Sequence, residues 1–151
     1  MDVPSPTLFA LLERIHGHLA WLGLALMVHP VFALRRPGPP GRPTRTSAWL
    51  AAGLVTAPYG IGWLIYPTYR ERVKPGLLID ALPYALAFET KEHLALMTLA
   101  LAWGGALCLH FGGGSPAGRR AARVVFACGA LTGVATGLLG IIVASRAHGA
   151  W

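Results

Sequence analysis

Apolar residues are concentrated in four long stretches of this chain, and polar residues lie mainly between them. The stretches cover residues 8–34, 48–66, 84–111 and 121–145. Each has about the 20 residues that an α-helix needs to cross the ~30 Å hydrocarbon core of a bilayer. They are rich in Leu and Ala and lack an alternating polar period, which argues against a transmembrane β-barrel. Because lipid offers the backbone no hydrogen bonds, the pattern predicts four membrane helices.

The predicted fold is all-α, an integral membrane four-helix bundle of up-down topology that forms one domain over residues 1–151. The helix bounds follow from capping and turn residues. Ser5 followed by Pro6 is typical of a helix start, and the Pro- and Gly-rich run after Arg36 is typical of a loop. The helices are predicted roughly at residues 6–35, 47–66, 83–111 and 121–145.

The segment from residue 67 to residue 90 allows two interpretations, because it opens with five charges and continues with apolar residues. It could form a short helix lying in the membrane interface. Alternatively, the third long helix begins early, with Asp80 near its cap and Pro83 in its first turn, and we favour this second interpretation. Pro67 is interpreted as the stop of the second helix, and Tyr66 as an interfacial anchor.

Composition supports a membrane location and argues against nucleic-acid binding. The chain is 54% hydrophobic and 13% charged, and its net charge is +7. The excess arginines lie in the first and third predicted loops, which contain no acidic residue, at Arg35, Arg36, Arg42, Arg45, Arg119, Arg120 and Arg123. By the positive-inside rule these loops are cytoplasmic and both termini lie outside, and cationic loops contact membrane lipid. Arginine outnumbers lysine eleven to two in this Ala- and Gly-rich chain, which indicates a GC-rich genome and a bacterial inner membrane.

Five of the six histidines lie on alternate apolar stretches. The first stretch holds His16, His18 and His29, and the third holds His93 and His110. In an up-down bundle these two helices run parallel and are diagonal neighbours across a shared core. Imidazoles at matching depths on two helices are suited to axial ligation of a haem iron.

This arrangement resembles the integral membrane b-type cytochromes, in which four-helix bundles hold haem between histidines of two helices. The resemblance covers the helical architecture and the histidine positions and no longer motif. It implies one or two haem b groups: an outer haem bound by His18 or His16 with His93, and an inner haem bound by His29 with His110. It further implies a small electron-transfer subunit of a quinol-linked oxidoreductase, which passes electrons between a quinol and a membrane or periplasmic partner protein.

Helical geometry limits this assignment. His18 and His29 differ by roughly 20° around a helix, whereas His16 and His29 differ by about 140°. His18 is therefore the better partner of His29. On the third helix, His93 and His110 are about 100° out of register and roughly 25 Å apart, against about 16 Å for His18 and His29. A straight third helix cannot serve two haems stacked in this way, so it bends or only one haem binds.

Two glutamates provide partners for the outer histidines. Glu89 precedes His93 by four residues and Glu13 precedes His16 by three, so each carboxylate can reach its histidine on one helix face. A carboxylate bonded to the imidazole Nδ1–H would fix the tautomer of a ligand. An alternative is an outward-facing copper, zinc or iron site, a quinone pocket or a proton relay formed by His16, His18, His93, Glu13, Glu89 and Glu92.

A strip of small residues, Gly129, Gly133 and Gly137, recurs every four residues in the fourth predicted helix. Such a strip allows another helix to approach closely. Internal packing is the simplest interpretation, and a dimer face or the flat side of a cofactor pocket are alternatives. The strip also supports a second functional hypothesis, a cofactor-free accessory or assembly subunit that packs against a larger membrane complex.

Overall fold

A computed structural model describes residues 5–147 of the chain, and these residues form five α-helices and no strand. The helices are α1 (Pro6–Ala33), α2 (Arg42–Arg72), α3 (Lys74–Asp80), α4 (Leu82–Gly112) and α5 (Pro116–Ala147). All except α3 are long and apolar enough to cross a membrane. The predicted all-α membrane bundle is thereby confirmed. The sixth histidine, His148, lies outside the described residues.

The four long helices pack in the cyclic order α1, α2, α4, α5. Helix α1 lies beside α2 and α5, and α4 lies beside the same two helices, so α1 and α4 are diagonal. The short helix α3 contacts both α2 and α4 where it joins them. The predicted diagonal relation between the two histidine-bearing helices is therefore present.

The apolar middle of the bundle is closely packed. Phe126 of α5 is fully buried, and a Cβ on Gly105 of α4 would lie only 2.9 Å from its ring. The glycine strip of α5 is filled from α1: Met27 covers Gly129, Leu24 covers Gly133 and Trp21 covers Gly137. Internal packing of the strip is confirmed, so the strip is not a free face for docking a partner.

The helix bounds differ from the predicted ones in α2, around α3 and at the start of α5, which begins at Pro116 rather than near residue 121. Helix α2 continues through Pro67 to Arg72, so the predicted proline stop is wrong. A proline removes one amide donor, and the buried packing of Thr68 and Tyr69 accompanies the continued helix. Both interpretations of the following segment hold in part, because a short helix forms and α4 begins early with Pro83 in its first turn. Its cap is Ala81 rather than Asp80.

The two ends of the bundle carry different charges. The long helices have 28 to 32 residues and are therefore about 42–48 Å long, more than the ~30 Å hydrocarbon core. The arginine end comprises the residues around the α1–α2 and α4–α5 connections, with Arg35, Arg36, Arg42, Arg45, Arg119, Arg120 and Arg123. The polar end is opposite, and every described acidic residue lies there: Glu13, Glu71, Asp80, Glu89 and Glu92.

Candidate functional site

His16 is held inside the interface between α1 and α2. Its Nδ1 lies 2.7 Å from the carbonyl oxygen of Pro58. Because a carbonyl oxygen only accepts, Nδ1 carries the proton and donates it, and in the neutral ring Nε2 keeps a free lone pair. Gly62 leaves room for the ring, since a Cβ there would lie 3.4 Å from His16 Cε1. The backbone carbonyl of Pro58 thus fixes the orientation of this imidazole, and the missing side chain at Gly62, one turn later, leaves space for it.

Lys91 connects this imidazole electrostatically with two glutamates at the polar end. We define the polar cluster as Glu13, His16, Lys91 and Glu92. Lys91 interacts electrostatically with the other three members. Its aliphatic chain passes 3.8 Å from the position of a Cβ on Gly140 of α5, and its ammonium lies 5.0 Å from the centroid of the Phe88 ring. Residues of all four long helices therefore meet at this cluster.

An ion pair and a ring stack border the polar cluster. Lys74 Nζ of α3 donates a hydrogen bond to Glu89 Oε1 of α4 at 3.0 Å, and this bond raises the pKa of Lys74. The ring of Tyr69 stacks on Phe88 with centroids 3.7 Å apart, and Tyr66 stacks on the same ring at 6.4 Å. These contacts bind α2, α3 and α4 together at the polar end.

His18 and His93 are exposed on outward-facing sides of two diagonal helices. Each lies nine residues before a fully buried residue, Met27 and Ala102 respectively. Nine residues correspond to about half a turn of rotation around a helix, so each histidine is opposite the core-facing side. The bundle therefore does not bring these two imidazoles together between α1 and α4 in one copy of the chain.

The ring orientations of His18 and His93 are fixed by their own helices. His18 Nδ1 donates to the carbonyl of Arg14 at 2.7 Å, and His93 Nδ1 donates to the carbonyl of Glu89 at 2.8 Å. The predicted partner of His93 was the carboxylate of Glu89, which instead binds Lys74. The predicted partner of His16 was the carboxylate of Glu13, whose place is taken by the Pro58 carbonyl.

His29 and His110 lie towards the arginine end and contact different neighbours. His29 Nδ1 lies 2.7 Å from Ser47 Oγ, and Ser47 Oγ donates to the carbonyl of Thr44 at 3.0 Å. Since the serine proton is already used, His29 donates from Nδ1 as well. The ring of His110 packs edge-on against Trp49 at 5.7 Å. Both histidines are exposed.

A shallow depression lies on the surface of α1 beside His18. It has a volume of about 320 Å³ and is lined by Glu13, Arg14, Gly17, His18 and Trp21. A Cβ on Gly17 would meet nothing within 4 Å, so the floor of this depression is open. The depression combines an imidazole, a guanidinium, a carboxylate and an aromatic ring on the surface of a largely apolar helix.

The sequence analysis did not identify three residues of this region as site residues: Pro58, Gly62 and Lys91. Proline with glycine four residues later, in an apolar helix, was the available signal for the contact with His16. Among residues 5–147, no three His, Cys, Asp or Glu side chains converge as a metal-ion site. No protein family, curated protein or solved structure matches the chain.

Proposed function

We propose that this protein is an electron-transfer subunit of a larger membrane complex that binds haem b through imidazoles on the outer surface of its bundle. The observation that supports this most directly is the hydrogen bonding and exposure of His18. Its Nδ1–H is committed to a backbone carbonyl, its side chain is exposed and it lines the depression on α1. A histidine with Nδ1–H bonded to a carbonyl has the tautomer that ligates iron through Nε2.

The packing of the bundle interior is the reason why the haem is proposed to bind at the outer surface. Fully buried Met27 of α1 and Ala102 of α4 belong to the apolar core of the bundle, so the proposal places the haem outside that core. His18 and His93 lie on the opposite sides of their helices. A second axial ligand for either would then come from a neighbouring subunit, such as a partner protein or another copy of this chain.

The residues around His18 suit such a group. Gly17 leaves the floor of the depression open, and Trp21 supplies an apolar edge. Arg14 can pair with a propionate carboxylate of the haem. This pairing would lie on the side of the depression that is nearer the polar end of the bundle. When bound, a b-type haem would supply one-electron transfer.

The charge distribution supports an orientation in the membrane. The arginine end would face the cytoplasm of a bacterial inner membrane by the positive-inside rule. Both termini, His18 and His93 would then lie towards the outer side, within reach of a quinol or a periplasmic partner. A reporter fused to the C-terminus would be active outside the cytoplasmic membrane, and cytoplasmic activity would contradict this orientation.

The test is a reduced-minus-oxidised visible spectrum of the protein purified with its native complex, with haem quantified per chain. We expect a b-type signal that is lost in His18→Ala or His93→Ala and retained in the control His110→Ala. A flat spectrum from haem-replete cells would overturn the proposal. So would an unchanged spectrum in both surface variants.

A second candidate function, proton transfer by a cofactor-free subunit, is favoured by the polar cluster. Ionisable residues inside membrane helices are costly and are by default candidates for function. Here Lys91 approaches His16 and Glu13. This candidate predicts a colourless protein whose proton flux in proteoliposomes falls in His16→Phe and Lys91→Met but not in His18→Ala. Equal flux in all variants would exclude it.

A further inference from the structure

Five arginines line one concave pocket at the arginine end. The pocket lies between the end of α1 with its following loop and the first two turns of α5. Its volume is about 170 Å³. The lining residues are Leu34, Arg35, Arg36, Pro37, Pro116, Arg119, Arg120 and Arg123. We refer to this cavity as the arginine pocket.

The described part of the chain provides no counter-charge for this pocket. Its acidic side chains all lie at the polar end, and the salt bridge among residues 5–147 joins Lys74 to Glu89. Arg119 reaches two loop carbonyls only at 3.4 and 3.5 Å, and Arg35 lies over the ring of Phe32 at 4.7 Å. Like charges this close repel one another unless an anion lies between them.

The chemistry of the lining identifies the anion. A guanidinium presents a planar fork of donors that matches the oxygens of a phosphate, so several guanidiniums around one cavity favour a phosphate group. A volume of about 170 Å³ is below the roughly 300–1,000 Å³ of pockets for whole drug-sized ligands. The pocket therefore suits a single headgroup rather than an entire molecule.

The position of the pocket is close to a lipid surface. It lies where α1 ends and α5 begins, next to the apolar membrane-spanning stretches, and buried Leu34 contributes an apolar wall. We propose that the arginine pocket is a specific binding site for a phosphate-bearing anion, and that an anionic phospholipid supplies this phosphate. This site is independent of any haem.

The test measures phospholipid binding to the full-length protein in phosphatidylcholine nanodiscs with increasing fractions of phosphatidylglycerol. The variant Arg119→Gln/Arg123→Gln removes two charges from the pocket. The matched control Arg42→Gln/Arg45→Gln removes two charges from the same end but outside the pocket lining. We expect the pocket variant to bind phosphatidylglycerol at least about tenfold more weakly than the control, because charge-assisted hydrogen bonds are lost.

Further measurements distinguish a phospholipid from a soluble phosphate and control for misfolding of the variants. Arg119→Lys/Arg123→Lys keeps the charge but loses the fork, and we expect it to lose part of the affinity while its helical circular dichroism stays unchanged. Binding of inorganic phosphate that competes with phosphatidylglycerol would support the site and assign it a soluble anion. Equal losses in the pocket and control variants would indicate non-specific attraction to the surface and would overturn the proposal, as would absence of binding by both probes.

Discussion

The two ends of the bundle differ in whether their charged side chains have partners of opposite charge. At the polar end, positive and negative groups lie near one another within the chain, as in the Lys74–Glu89 ion pair and the electrostatic attraction between Lys91 and Glu13. At the arginine end, seven arginines have no acidic residue beside them in the described chain. The polar end therefore carries its own counter-charges, whereas only anions from outside the described residues could neutralise the arginine end.

Hydrogen bonding also differs between the two ends. The arginine end has a chain of paired polar groups, whereas the polar end has two buried polar groups without a partner among the described residues. At the arginine end, His29, Ser47 and Thr44 form a continuous chain of donors and acceptors. At the polar end, Thr68 Oγ1 and Tyr69 Oη are buried without a hydrogen-bond partner among the described residues. Unsatisfied buried groups are rare and costly. This contrast indicates that the polar end is not optimised for stability, as is common where residues serve a function.

The largest expected effect concerns the apolar middle, on which both ends depend. Phe126→Ala would leave a cavity against Gly105, because the phenylalanine ring is fully buried. We expect a loss of about 3–5 kcal/mol in the free energy of unfolding, measured by SDS-induced unfolding in mixed micelles. The control Phe126→Leu should lose much less. Equal losses would show that cavity formation is not the cause.

A smaller loss is expected at the arginine end from Ser47→Ala. This substitution removes the acceptor of His29 and one buried hydrogen bond to Thr44. We expect the free energy of unfolding to fall by about 1 kcal/mol. The exposed neighbour Thr46 provides the control Thr46→Ala, which should be nearly neutral. If both variants unfold alike, the chain of hydrogen bonds does not contribute to stability.

A gain of similar or smaller size is expected at the polar end from Tyr69→Phe. The change removes a buried hydroxyl without a partner and keeps the ring stacked on Phe88. We expect stability to rise by about 1 kcal/mol, with Tyr66→Phe as the control. A loss of stability would mean that the hydroxyl has a partner in the membrane, such as water or a bound ligand, and would weaken the contrast between the ends.

The smallest effect is expected from Lys74→Gln, because both members of its ion pair are partly exposed and exposed ion pairs contribute little to stability. The hydrogen bond to Glu89 raises the pKa of Lys74. A raised lysine pKa means that the pair stabilises the fold at neutral pH and that this contribution is lost as pH rises through the folded-state pKa. The stability difference between wild type and variant should therefore vanish at alkaline pH. The control Arg72→Gln should show no such convergence.

Part of the candidate site could be predicted from the residues alone. The depth of the histidines and the clustering of acids near one end are visible along the chain, because a helix has a fixed rise per residue. The contact of His16 with Pro58 could not be predicted, since it joins residues 42 positions apart across two helices. The ion pair of Lys74 with Glu89 likewise depends on the folding of α3 against α4, for which local sequence left two interpretations open.

The four long helices, the membrane-compatible bundle and the excess of arginine at one end could be predicted from the sequence alone. These properties follow from the length and composition of the apolar stretches and need no knowledge of neighbours. The inward position of His16 and the outward position of His18, in contrast, depend on how the helices pack. The two residues are about 200° apart around α1, and that helix is apolar on most of its surface. Its rotation is fixed by packing of Leu24 and Met27 against the glycines of α5, which no periodicity along α1 encodes.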